Sequence, residues 1–154
     1  MFLDLPQVEE FCSVTATKDR EALSRDAAAA CEWAEEQAGP IELVTVTERA
    51  TSTGYYVRLA NPPASIESID ASTDLPTINL LPGGFEAALT PGPHDVVYTA
   101  GSASIPGWAV SAAMLYTKHL WQSRLPGNAS QQQPVNYAAR AEAAISGHRR
   151  GPRP

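Results

Sequence analysis

The chain has 154 residues, which suits a single domain, and 44% of them are apolar, enough for a core. A net charge of −6 argues against a general nucleic-acid binder. No run approaches the roughly 18 apolar residues of a membrane helix, and Met1–Glu10 is acidic, without the basic start of a signal peptide.

Aromatic residues are only 7% of the chain and alanine fills many apolar positions, so the core should be modest and helix-rich. A first short helix is expected over about Pro6–Phe11, because proline is well placed where a helix start has no partner for an N–H. A second helix follows. Thr17 is expected to cap it, and Asp19 and Glu21 complement the positive end of its dipole. Leu23, Ala27, Ala30, Cys31, Ala34 and Ala38 recur at three- and four-residue steps and form one apolar stripe. Gly39-Pro40 stops the helix.

The period then changes to two. Ile41–Thr47 is rich in β-branched residues and reads as a strand, Thr51–Gly54 as a turn, and Tyr55–Leu59 as the returning strand. Asn61-Pro62-Pro63 breaks the pattern because proline donates no ladder bond. Ser65–Ile69 and Thr77–Leu81 are further short strands, Gly83-Gly84 a turn, and Asp95–Thr99 a last strand after Pro91-Gly92-Pro93.

Helix returns after Ser104, a candidate cap, with Pro106 in the first turn. Trp108–Arg124 is apolar nearly all round, as in a helix central to its domain or held within an assembly. Leu125-Pro126-Gly127 stops it. A polar linker leads to a short helix over Val135–Ser146 and a basic end, Gly147–Pro154, that cannot bury itself. The expected fold class is α+β. Its form is a small helical bundle, with a long central helix in the C-terminal half and the N-terminal helices around it. About five short strands form an inserted antiparallel set. Residues 1–127 form the core domain, and residues 128–154 the linker, short helix and basic tail. Trp33, Trp108, Met114 and Trp121 are candidates for core or subunit packing.

Charge is unevenly placed. Residues 1–95 carry five Lys/Arg and sixteen Asp/Glu, net −11, whereas residues 96–154 carry six Lys/Arg and one acid, net +5. Such a split suits a subunit with one end against an acidic neighbour, and equally a chain with solvated acidic faces and a basic tail.

Little points to catalysis. No Gly-rich phosphate loop is present. His94, His119 and His148 lie far apart and have no His or Cys at ligand spacing. Gly101-Ser102-Ala103-Ser104 lacks the second glycine of a nucleophile elbow. Glu9-Glu10 and Glu35-Glu36 do not face one another on a helix. Cys12 and Cys31 stand outside any cluster, so a buried free thiol is the ordinary outcome. The chain reads as a non-enzyme with no metal and no cofactor. An over-apolar helix, a split charge and a tail that cannot pack alone suit an assembly subunit.

Four ordered landmarks resemble the head-to-tail connector (adaptor, or head-completion) proteins of long-tailed phages. The first is the alanine-rich helix ending Cys31–Gly39 and followed by a strand. The second is Leu59–Ile69 with its Pro62-Pro63 pair. The third is Val96-Val97-Tyr98-Thr99-Ala100-Gly101. The fourth is Ile105-Pro106 opening a long helix that ends Leu120-Trp121-Gln122-Ser123-Arg124. The likeness spans residues 17–125. Gln37-Ala38-Gly39 replaces the family's Thr-Gly, and residues 70–95 are unusually Pro/Gly-rich.

The resemblance implies a structural protein of the virion neck, assembled in the host cytoplasm and seated between capsid portal and tail. It implies self-association into a ring, about twelve-fold to match the portal. That ring would extend the DNA channel without sequence-specific DNA binding and without membrane contact. It would also offer a platform for a stopper or tail-completion protein. Tyr137, Arg140, Arg149, Arg150 and Arg153 are the expected portal contacts. The alternative is a tail-completion or stopper neck protein.

Overall fold

A computed structural model of the chain describes residues 1–124 and 135–148. They form two compact units, one made of Met1–Gly39 with the segment from Ile105 onward, the other running from Pro40 to Ser104.

The first unit is helical: α1 (Leu5–Cys12), α2 (Thr17–Ala38), α3 (Gly107–Arg124) and α4 (Tyr137–Ile145), with a final 3-10 turn, Ser146–His148. Pro6 lies in the first turn of α1, where it displaces no hydrogen bond. Ser13 closes α1 in the left-handed region, φ 59°, and its N–H donates back to the carbonyls of the last turn. On α2 the stripe Leu23, Ala27, Ala30, Cys31 and Ala34 is buried. Gly39, φ 97°, ends it with an N–H···O bond of 2.8 Å to Glu35. Thr17 is the first helical residue and not the cap: Ala16 holds that position and caps with no side chain. Ser104 likewise precedes α3, whose first turn hangs from the Pro106 carbonyl, the acceptor for Ala109 and Val110. Leu3, Val8 and Cys12 meet Leu23, Ala27, Cys31 and Ala113 in one core. α3 buries only Ala109, Ala112, Ala113 and Thr117, so neighbouring helices approach its backbone closely. Both cysteines are buried free thiols.

The second unit is a six-stranded antiparallel sheet, in the order β3-β6-β1-β2-β5-β4. Its strands are β1 (Val44–Ser52), β2 (Tyr56–Arg58), β3 (Pro63–Ile69), β4 (Asn79–Leu81), β5 (Gly84–Glu86) and β6 (Gly92–Ala100). The edge strands β3 and β4 touch, so the sheet curls into a near-barrel. β6 alternates as a half-buried strand must: His94, Val96, Tyr98 and Ala100 point inward, and Asp95 points out. Pro93 is tolerated because β3 pairs with β6 only from Val96 onward, leaving β6 an edge at Pro93.

This overturns the expected helical bundle with a minor strand insertion. Strands are a major part of the fold, for two physical reasons. β1 runs five residues past Thr47, through Glu48-Arg49-Ala50-Thr51-Ser52, because each of them pairs with β6. β5 lies where a plain Gly83-Gly84 turn is expected. Gly84, φ 153°, passes so near β2 that a Cβ would stand 2.0 Å from the Val57 carbonyl oxygen, so the pairing requires glycine.

A polar cluster centred on Tyr98 sits inside the near-barrel. Fully buried Tyr98 donates from its hydroxyl to Glu48 Oε2 at 2.8 Å and accepts from the Asn61 amide at 3.3 Å. Glu48 also accepts from the Ala60 amide at 3.0 Å. Together they pin the Asn61-Pro62-Pro63 corner, whose prolines have no N–H to offer a ladder. Burial, and then the Glu48 carboxylate, push the Tyr98 phenol up to about 12. Replacing Tyr98 by Phe should therefore cost about 1–3 kcal/mol in urea denaturation, the penalty of stranding buried polar groups. Unchanged stability would mean that the corner holds itself.

Candidate functional site

Among the described residues, no group of three or more His, Cys, Asp or Glu is placed to hold a metal ion. Ser102 Oγ accepts from the Ser104 amide at 3.4 Å, a local turn contact. His119 lies beside Tyr116, ring centroids 5.8 Å apart.

The four packing candidates occupy different places in the helical unit. Met114 and Trp121 are half-buried against the helical core. Trp33 on α2 stacks on Tyr116 of α3, centroids 4.3 Å apart and planes 11° off parallel. Trp108 stacks on His148 of the 3-10 turn at 4.2 Å and 8°.

Of the expected contact residues, Tyr137 and Arg140 lie on α4, while Arg149, Arg150 and Arg153 fall outside the described residues. Asn136 caps α4, its side-chain oxygen accepting from the Ala139 amide at 3.0 Å. Ala141 and Ile145 are fully buried in the helical unit, where α4 packs on α3. Arg140 is exposed. Tyr137 is half-buried, its ring centre 5.7 Å from Lys118 Nζ of α3. The same ammonium lies 4.8 Å from the Phe11 ring centre and donates to the Phe11 carbonyl at 2.6 Å. Lys118 thus places a cation at the negative end of α1 and ties α1, α3 and α4 together.

Sequence reading missed Asp26. Its position between Leu23 and Ala30 is on the buried stripe of α2, which is the signal that could have found it. Only 2% of it is exposed, and Arg124, at the end of α3, is its ion-pair partner. Oδ1 takes the arginine, and Oδ2 has no hydrogen-bond partner among the described residues. Burial pushes the carboxyl above its ordinary 3.8, against the pull of Arg124 and Arg25.

The folded state therefore holds this proton longer than the unfolded chain. Asp26 thus makes stability fall as pH rises from 3.8 through its raised value. Arg124→Ala should cost about 1–3 kcal/mol at neutral pH, less than for a fully buried partner because the arginine is half-exposed. Part of that loss should return in acid, and Asp26→Asn should flatten the pH dependence in urea melts. A variant as stable as the parent would show that the pair contributes nothing.

The fold is similar to that of a chain in a solved structure described as the virion of a native gene transfer agent (GTA) particle. The match has a TM-score of 0.62 at 17% sequence identity and covers 99% of this chain and 91% of that one. A second match is to a chain in the neck of an empty GTA particle computed with C6 symmetry. It has a TM-score of 0.61 at 18% identity, with the same 99% and 91% coverage. No protein-family model and no curated protein matches the sequence. At these identities the likeness is one of fold, and it extends over both units of the chain.

Proposed function

We propose that this chain is a structural, non-enzymatic subunit of a virion neck: an adaptor that forms a ring below the portal, extends the DNA channel and carries the stopper or tail. The observation that carries the reading is the whole-chain likeness of fold to a chain in the neck of a GTA particle. The four sequence landmarks support it independently, since they rest on ordered residues and not on the fold. A head-to-tail contact that closes on itself yields a ring. The acid excess of residues 1–95 suits a surface that lets DNA phosphate slide, because tight binding would stall its passage. The basic C-terminal part suits an acidic face on the portal. The core domain of residues 1–127 would then carry the ring, with residues 128–154 reaching the portal.

The extent of the sheet favours a second reading, a tail-completion or stopper subunit, because such neck proteins tend towards β-rich folds. The two readings differ in which neighbour is bound first.

Particles assembled in the host without this chain should accumulate as DNA-filled heads and separate tails. Joined, competent particles made in its absence would sink the proposal. Reversing Arg140, Arg149, Arg150 and Arg153 to Glu should abolish portal binding and leave cooperative melting unchanged. Intact binding by that variant would remove the basic segment from the interface.

A further inference from the structure

The near-barrel holds a buried histidine whose two ring nitrogens both face acceptors. His94 Nδ1 lies 2.7 Å from Asp70 Oδ2, and Nε2 lies 2.9 Å from the Thr90 carbonyl oxygen. A neutral imidazole has one N–H, so it can donate to one of these acceptors and must present a lone pair to the other. Only the doubly protonated ring satisfies both. The residue is 8% exposed, so water does not readily take over a lost partner.

Asp70 is also the anchor of a tight turn. Its Oδ1 accepts from the Asp95 amide at 2.9 Å, and its own amide donates to the Asp95 carbonyl at 2.8 Å. Asp70 and Ala71 both sit in the left-handed region, φ 51° and 62°. The turn they make is closed by Ile69 N–H to Ser72 O at 3.0 Å and Ser72 N–H to Ile69 O at 2.9 Å. Neither central residue is glycine, so each Cβ meets a steric cost there. The attachment to β6 holds that conformation in place.

We propose that His94 and Asp70 form a protonation-dependent latch: the imidazolium ties the Asp70–Ala71 turn and the Thr90 carbonyl to β6 through one ring, and loss of its proton breaks the Thr90 tie, strips the charge from the Asp70 tie and so loosens the turn. The charged groups around the ring fit this role. Asp70 faces it from the turn after β3, Asp95 follows it on β6, and Arg49 stands opposite Asp95 on β1. The Thr90 carbonyl first, and then Asp70, raise His94 above its ordinary 6.5. The His94 hydrogen bond first, and then the Asp95 amide, hold Asp70 below its ordinary 3.8.

A histidine raised in this way contributes stability that is fully present below 6.5 and lost as pH rises through its folded value. A depressed aspartate contributes stability present above 3.8 and lost as pH falls through its own folded value. The latch is therefore closed between those two folded values and opens on the alkaline side of His94. It belongs to the sheet unit and does not depend on the adaptor reading.

The test is an NMR titration of the full chain, with the His94 ring signal assigned by its loss in His94→Gln. His94 should titrate above 6.5. The Asp95 and Ser72 amides should lose exchange protection over the same pH range, beyond the intrinsic acceleration of exchange. Asp70→Asn should move the His94 titration down and abolish the linked change in protection. That variant also serves for assignment should His94→Gln not fold. A His94 titration at or below 6.5, or Asp95 and Ser72 protection that ignores it, would overturn the latch.

Discussion

The ladder between β1 and β6 is the constraint on which the fold depends. All nine residues of β1 pair in unbroken antiparallel register with β6, from Val44 opposite Ala100 to Ser52 opposite Gly92. The chain leaves the helical unit after Gly39 and re-enters it at Ile105, so the two ends of the inserted unit must meet. They do so beside this ladder, where the Ser102 amide donates to the Ile41 carbonyl at 3.1 Å. Gly101, φ 94°, makes the approach possible: a Cβ there would stand 2.1 Å from the Glu42 carbonyl oxygen. β3 adds to one side of the pair, and β2, β5 and β4 add to the other. The helical unit, built from two distant segments, depends on this closure to bring α3 back to the same unit as α2.

The helices were legible because their signals are local. The alanine stripe of α2 and its Gly39-Pro40 stop lie within one stretch of sequence, and so do Pro6 in α1 and the apolar body of α3. The size of the sheet was not legible, because it rests on partners far along the chain. Glu48 and Arg49 look like the end of an apolar strand, yet Glu48 is held by Tyr98, fifty residues away. Gly84 looks like a turn residue, yet glycine is what lets β5 pair with β2. The same distance hid two pairs in which a buried member meets a half-exposed partner. His94 sits beside Asp95 in sequence, but its partner is Asp70, twenty-four residues earlier. Asp26 finds Arg124 ninety-eight residues away.

Polar groups and small residues thus carry much of the specification. The largest fully buried side chains are few, led by Tyr98, Phe85 and Leu23. Alanines allow close helix packing in one unit, while Glu48–Tyr98 and Asp70–His94 tie loops to strands in the other. Within the helical unit, Lys118 gathers α1, α3 and α4 through one ammonium group, and Tyr137 belongs to that cluster. This gives the proposed portal-facing segment a physical connection to the helical core and not only a charge.

The adaptor reading is tested most directly by the mass of the complex formed when this protein is mixed with purified portal rings from its own particle. The account predicts a discrete gain of about twelve subunits per portal ring, the ratio at which a closed ring matches its template. No gain in mass, with both proteins folded and the portal ring intact, would contradict it and assign the chain to the tail side of the neck or outside it altogether.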